Sequence, residues 1–232
     1  MQQCMTLERY LKIRDALSKR QTDLTLLLEE LHKPYNVSAV LRSADAVGVS
    51  KIHAVWGENH AIGKGTGMGS HVWVKTQTHR SLANAVDYLH QQNMQVLVTH
   101  LDKDAIDFRD VDYTKPTAIL LGQEKTGATA KAVALADQSI MVPMMGMVQS
   151  LNVSVAGALI LYEAQRQRQV AGMYEVCSLP EQEFQEALFA GGFPNLYKVC
   201  KQRKLALPRI DDNGCIDAPK QWWQALQFSE ID

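Results

Sequence analysis

From Leu7 to Leu17 the apolar residues Leu7, Tyr10, Leu11, Ile13 and Leu17 recur at helical spacing, which predicts an amphipathic first helix with a basic outer face. "DLTLLLEEL" reads as a strand, and in "NVSAVLRSADAVG" Val37, Val40, Leu41, Ala44 and Val47 return to helical spacing. Asn36 is the expected N-cap there and Gly48 the expected residue just past the C-terminus. Ser38, Arg42 and Asp45 fall on the opposite, polar face. The short apolar runs "KIHAVW", "QVLVTH", "TAILLG" and "SIMVP" follow, separated by helical stretches such as "SLANAVDYLHQQ" and "GATAKAVALAD". Strands alternating with helices predict an α/β fold, a mostly parallel sheet with helices on both faces. Ligands of such sheets bind beyond the carboxyl ends of the strands, which directs attention to Thr99 and His100, to Gly122–Gly127 and to Pro143–Asn152.

After Tyr162 the pattern turns polar, "EAQRQRQ", and the helix is expected to leave the body of the domain. A helix "SLPEQEFQEALFAGG", a basic segment "LYKVCKQRKLALPR" and a terminal helix "WWQALQF" complete the chain. The division expected is a basic N-terminal helix at 1–20, the α/β domain at 21–172 and a basic helical extension at 173–232.

Composition refines this picture at one point only. The net charge of -1 gives no global reason to expect a polyanionic partner, yet both ends are locally basic. Arg9, Lys12, Arg14, Lys19 and Arg20 face only Glu8 and Asp15, and Lys198, Lys201, Arg203, Lys204 and Arg209 stand in a stretch without acids. Such ends either contact an anionic partner or are solvated helix faces. Four widely spaced cysteines without a C-x-x-C pair argue against a zinc site and a disulfide framework, and no histidine falls in H-E-x-x-H, so no metal is expected. No signal peptide and no run of membrane-spanning length is evident, which points to a cytoplasmic protein that does not enter membranes. Asn-Val-Ser at 36–38 and 152–154 is formally a glycosylation acceptor, accidental in such a compartment.

Two glycine-rich segments invite a phosphate-binding reading. "GKGTGMGS" at 63–70 gives no G-x-G-x-x-G register and reads as a surface loop from which Lys64 could meet a phosphate. "GQEKTG" at 122–127 has the glycine spacing of a P-loop without its Lys-Ser or Lys-Thr, leaving a tight turn after a strand that suits close approach of backbone to a flat ligand or is an ordinary βα turn. In "VPMMGMVQSLNVSVAGALILYE", Ser150 or Asn152 is the expected N-cap of a helix whose Ala156, Gly157 and Ala158 permit tight packing. Met144, Met145 and Met147 form adaptable apolar surface before it. Capping explains one polar residue, not a Gln-Ser-Leu-Asn cluster at the mouth of a sheet.

"HKPYNVSAVLRSADAVGV", "LLGQEKTG" and "MVPMMGMVQSLNVSVAGALILYEAQRQR", in this order, resemble the three motifs of the SPOUT RNA 2′-O-methyltransferases, and within them the tRNA guanosine-18 group. The resemblance covers nearly the whole chain. It implies a C-terminal trefoil knot that holds S-adenosylmethionine, and a homodimer with active sites built from both subunits. The implied reaction moves a methyl group to the ribose 2′-hydroxyl of guanosine 18 in the D-loop of tRNA. By motif correspondence Arg42, Asn36, Glu124, Ser150 and Asn152 form the catalytic set. Thr99, Gly122, Glu124, Gly127, Val142, Met144 and Leu151 are implied around the cofactor. Arg9, Lys12, Arg14, Arg166, Arg168, Lys198, Lys201, Arg203 and Lys204 are expected along the tRNA backbone. In a dimer the two Asn-Val-Ser copies are expected to meet across the subunit interface. Competing readings are a SPOUT enzyme for another tRNA site or for rRNA, and a non-catalytic RNA-binding protein.

Overall fold

The computed structural model describes residues 3–56 and 73–227; the loop at 63–70 with Lys64 lies outside them. Their contacts divide the chain into two units, one of residues 21–176 and one of residues 1–20 together with 177–232. The two basic ends therefore belong to a single unit, rather than standing as separate extensions.

The larger unit runs β1 (Leu24–Glu29), α2 (Pro34–Ala46), β2 (Lys51–Val55), β3 (Lys75–His79), α3 (Leu82–Gln91), β4 (Gln95–Thr99), β5 (Ile106–Asp107), β6 (Thr117–Leu121), α4 (Ala130–Leu135), β7 (Gln138–Met141) and α5 (Val153–Val170). The smaller holds α1 (Leu7–Ser18), α6 (Glu181–Gly192), α7 (Pro194–Gln202), β8 (Arg209–Ile210), β9 (Ile216–Asp217) and α8 (Lys220–Gln227). The seven strands of the larger unit form one sheet in the order β3-β2-β1-β6-β4-β7-β5, with every pairing parallel. β1 is buried along its whole length, as a strand covered on both faces must be. Leu24, Leu26 and Leu28 pack with Val40, Leu41 and Ala44 of α2 and with Ile160, Leu161 and Ala164 of α5. Leu27 faces the other layer, Ala85, Val86 and Leu89 of α3 and Ala132 of α4. The alternation along one strand assigns α2 and α5 to one face of the sheet and α3 and α4 to the other.

Side-chain caps set several helix starts: Thr6 accepts from the Arg9 N–H, Ser81 from Asn84, Thr129 from Ala132 and Asn152 from Ser154. α2 departs from expectation, because it starts at Pro34, whose fixed φ suits a first helical position, and Asn36 lies inside the helix as a buried residue rather than capping it. Gly48 follows α2 at φ 81° and closes it as expected. The polar end of α5 does not leave the domain. Gln167 receives the Tyr113 N–H at 2.9 Å and donates to the Val111 carbonyl at 2.9 Å, and Arg168 is fully buried.

In the smaller unit, Phe189 is buried against Phe193 and the edge of Trp222. Cys4 and Cys215 form a disulfide across an antiparallel bridge, which corrects the expectation of no disulfide. Sequence spacing carries no information about a pairing 211 residues apart. Among the described residues there is no cluster of three or more metal-ligating side chains, and no helix is long and apolar enough to cross a membrane.

Candidate active site

The three motif segments converge at the carboxyl ends of the strands, two of them, 122–127 and 143–152, being ones that the sheet rule singled out. β1 leads through residues 30–33 into α2, β6 ends at Leu121 and enters the 122–127 turn, and β7 leads into the stretch before α5. Gly122 has no room for a side chain, since a Cβ there would lie 2.2 Å from the Ala128 nitrogen. Gly127 takes φ 71°, a left-handed conformation that favours glycine. Gln123 and Gly127 exchange two backbone hydrogen bonds of 3.0 Å, closing the neck of the turn. Glu124 is thereby presented at its tip.

The Glu124 carboxylate accepts from the Lys33 N–H at 2.8 Å, from Asn36 Nδ2 at 3.2 Å and, more weakly, from the His32 N–H at 3.5 Å. Burial pushes its pKa up, but the N–H groups of Lys33, of Glu124 itself, of Asn36 and of His32 outweigh burial and hold it below the ordinary glutamate value. Asn36 Oδ1 then accepts from Asn152 Nδ2 at 3.2 Å, and Asn152 Oδ1 accepts from the Ser154 N–H at 2.8 Å. The direction of this relay is fixed from both ends. A carboxylate only accepts, so Asn36 must turn its NH₂ toward Glu124; a backbone N–H only donates, so Asn152 must turn its oxygen toward Ser154. The two Asn-Val-Ser copies thus meet inside one chain.

Around this relay, Thr99 donates from Oγ1 to the Leu120 carbonyl at 3.2 Å, Val142, Met144 and Leu151 are half-buried, and Ser150 is exposed. Among the described residues no backbone N–H of residues 144–151 bonds to another backbone group. A stretch that combines half-buried apolar side chains with uncommitted backbone donors suits a flat heteroaromatic ring and a thioether chain, so the residues present fit S-adenosylmethionine. Gly157 seats α5 against β6, where a Cβ would stand 3.0 Å from Leu121 Cδ1.

Arg42 lies on the exposed face of α2. Arg166 is exposed on α5 and paired with Glu163 at 2.8 Å. Arg168 is not an RNA contact: its side chain is wholly buried and bound to Asp23, Gln21, Tyr113 and Lys115. In the smaller unit, Lys12, Arg14, Lys198 and Lys204 are exposed; Arg9 donates to the Gly191 carbonyl at 2.7 Å, Lys201 pairs with Glu186 at 2.7 Å and Arg203 donates to the Leu226 carbonyl at 2.7 Å. Sequence reasoning missed Gln123, Glu29, Glu30 and Thr129, which hold the turn from below. Their signal was the pair of acids closing the first strand.

Residues 23–162 match the model of the SpoU rRNA methylase family, and residues 166–219 match that of the SpoU rRNA methylase C-terminal region. The chain is 55% identical over 222 residues, 94% of its length and 97% of the relative's, to the tRNA (guanosine(18)-2′-O)-methyltransferase of Escherichia coli K12. The crystal structure of the TrmH/SpoU tRNA modifying enzyme of Aquifex aeolicus superposes with a TM-score of 0.74 at 39% identity, covering 82% of this chain and 97% of that one. The SpoU methyltransferase AviRb of Streptomyces viridochromogenes, crystallised with AdoMet, gives a TM-score of 0.57 at 27% identity over 66% of this chain and 61% of its own. With a family model spanning the whole sheet and a relative identical at more than half of its positions, the chain belongs to the SpoU methylase family.

Proposed function

We propose that the protein transfers a methyl group from S-adenosylmethionine to the ribose 2′-hydroxyl of guanosine 18 in the D-loop of tRNA. The observation that carries this reading is the Glu124–Asn36–Asn152 relay, which joins all three motif segments of a methyltransferase at the ends of the parallel strands. The guanosine-18 activity for which the Escherichia coli relative is named supports the choice of guanosine 18 over an rRNA site. Backbone N–H groups anchor the polar set at both ends, at Glu124 and at Asn152, so little reorganisation is needed when the ligands arrive.

S-adenosylmethionine, when bound, supplies an electrophilic methyl on a sulfonium. Thr99, the 122–127 turn, Val142, Met144 and Leu151 wall its pocket. Glu124, held ionised by its N–H donors, fixes Asn36 at the start of α2 and so the pose of the helix that carries Arg42. A guanidinium carries positive charge and offers no lone pair, so Arg42 stabilises the developing alkoxide and clamps the neighbouring phosphate of the substrate, and an oxygen of that phosphate takes the hydroxyl proton as the methyl leaves the sulfonium for the 2′-oxygen. Ser150 and Asn152 orient the ribose at the entrance. The protein works as a cytoplasmic homodimer in this reading, with Arg42 serving the partner's cofactor pocket. Exposed Val155, Leu159 and Tyr162, spaced four and three apart on one side of α5, supply an apolar face for that assembly.

Incubation with methyl-labelled S-adenosylmethionine and unmodified tRNA, followed by nucleotide mapping, should place the label at guanosine 18. Label confined to rRNA or to another tRNA position overturns the assignment. Arg42→Ala should lose at least about 100-fold in turnover, as loss of a transition-state charge partner does, while calorimetry finds its cofactor affinity preserved.

A further inference from the structure

The acids that end β1 are not part of the relay, yet both reach the turn that carries Glu124. Glu29 is 5% exposed and faces the α3–α4 layer. Its Oε2 accepts the Thr129 N–H at 3.0 Å and its Oε1 the Thr129 hydroxyl at 2.5 Å. The same hydroxyl oxygen accepts the Ala132 N–H at 3.1 Å, so Glu29 holds the cap of α4 and with it the outgoing limb of the turn. Glu30 follows at φ 47°, a left-handed conformation unusual for a side chain of this kind. There its Oε2 accepts from Gln123 Nε2 at 2.8 Å, and Gln123 Oε1 accepts from the Thr126 hydroxyl at 2.9 Å. Glu30 therefore grips the incoming limb.

We propose that Glu29 and Glu30 are positioning residues for the methyl-transfer reaction: one from each side, they hold the Gly122–Gly127 turn in the shape that keeps Glu124 on Asn36 and keeps the turn as a wall of the S-adenosylmethionine pocket. The left-handed backbone at Glu30 marks this as a functional device. A glycine would adopt that conformation without strain, so a carboxylate there is explained by what its side chain does. This inference rests on the reading of the turn as one wall of the cofactor pocket.

Glu30→Gly separates positioning from stability. It relieves the backbone while deleting the grip on Gln123, so the urea midpoint of the full-length protein should stay the same or rise. The dissociation constant for S-adenosylmethionine, measured by calorimetry, should rise about tenfold. Glu30→Gln keeps an acceptor for Gln123 Nε2 and should restore affinity to within about threefold of the parent. With tRNA, Glu30→Gly should raise the KM for S-adenosylmethionine and also lower kcat at saturating cofactor, since Glu124 on Asn36 sets the pose of the helix that carries Arg42, and Glu30→Gln should restore both. Parent-like cofactor affinity in Glu30→Gly overturns the proposal and leaves the methyltransferase reading standing. Failure of the parent protein itself to bind S-adenosylmethionine overturns both.

Discussion

Arg168 shows how much one side chain can carry away from any site. Its guanidinium donates to the Tyr113 and Lys115 carbonyls, to Gln21 Oε1, and to the Asp23 carboxylate and carbonyl, all within one unit. It ties the end of α5 to the entry of β1 and to the loop before β6. Removing it leaves those acceptors without their shared donor, so Arg168→Ala should cost about 3 kcal/mol or more in urea unfolding, the range for breaking a buried charge pair from one side. Arg166→Ala removes only a pair whose arginine is 64% exposed and should stay within about 0.5 kcal/mol. The difference was legible in the sequence: Gly157, Ile160, Leu161 and Ala164 form a buried stripe, and position 168 continues it at the next helical turn, whereas 166 does not. An arginine on a core stripe is a tie. Reading the "RQR" by charge alone placed it on the surface.

At the scale of elements, the buried strands and amphipathic helices announced themselves because burial on one or both faces leaves a period. β3, "KTQTH", left none: among the described residues it is an edge strand paired only to β2, and it is lined mostly by exposed polar residues. β3 is nevertheless coupled to the core through one buried contact. His53 of β2 and His79 of β3 place ring nitrogens 2.9 Å apart beside Tyr88 of α3, and that spacing accommodates one shared proton. Burial, then the charge of His79 and that of Lys51, holds His53 down at about 4, and burial lowers His79 as well. The sign follows from linkage. As pH falls below 6.5 the unfolded chain takes up the proton first, so stability is full above 6.5 and is lost progressively down to about 4. The loss from His53 should reach about 3 kcal/mol, from a shift of roughly two and a half pH units. Urea midpoints followed from pH 7.5 to 4.5 should show it, and His53→Gln should flatten the profile. An unchanged slope in that variant would refute the assignment. The motif elements were read more faithfully than their details. Pro34, by starting α2 two residues before Asn36, converted the expected cap into the middle link of the relay, and only three-dimensional convergence shows that link.

For the molecule as a whole, the net charge of -1 means that attraction to tRNA depends on where the cations stand. The unit built from both chain ends exposes Lys12, Arg14, Lys198 and Lys204, with Lys201 and Arg203 exposed but also engaged with Glu186 and the Leu226 carbonyl. α7 carries Lys198 and Lys201 one helical turn apart and buries Cys200 between them, so its cationic side faces solvent as a consequence of how the helix is anchored. A chain with no overall positive field gains RNA affinity through local counterion release. Binding should then weaken linearly on a double-logarithmic salt plot, with a slope of roughly 0.7 to 0.9 per phosphate contacted. If about five of these cations meet phosphates, the slope is about -4, and each of Lys198→Ala and Lys204→Ala should make it shallower by about one while lowering affinity for all tRNAs alike. Filter binding of unmodified tRNA between 50 and 200 mM salt, about the range over which such contacts are lost, measures both quantities. A flat salt profile, or lysine variants with parent slopes, would remove the terminal unit from the tRNA interface and leave recognition to the α/β unit alone.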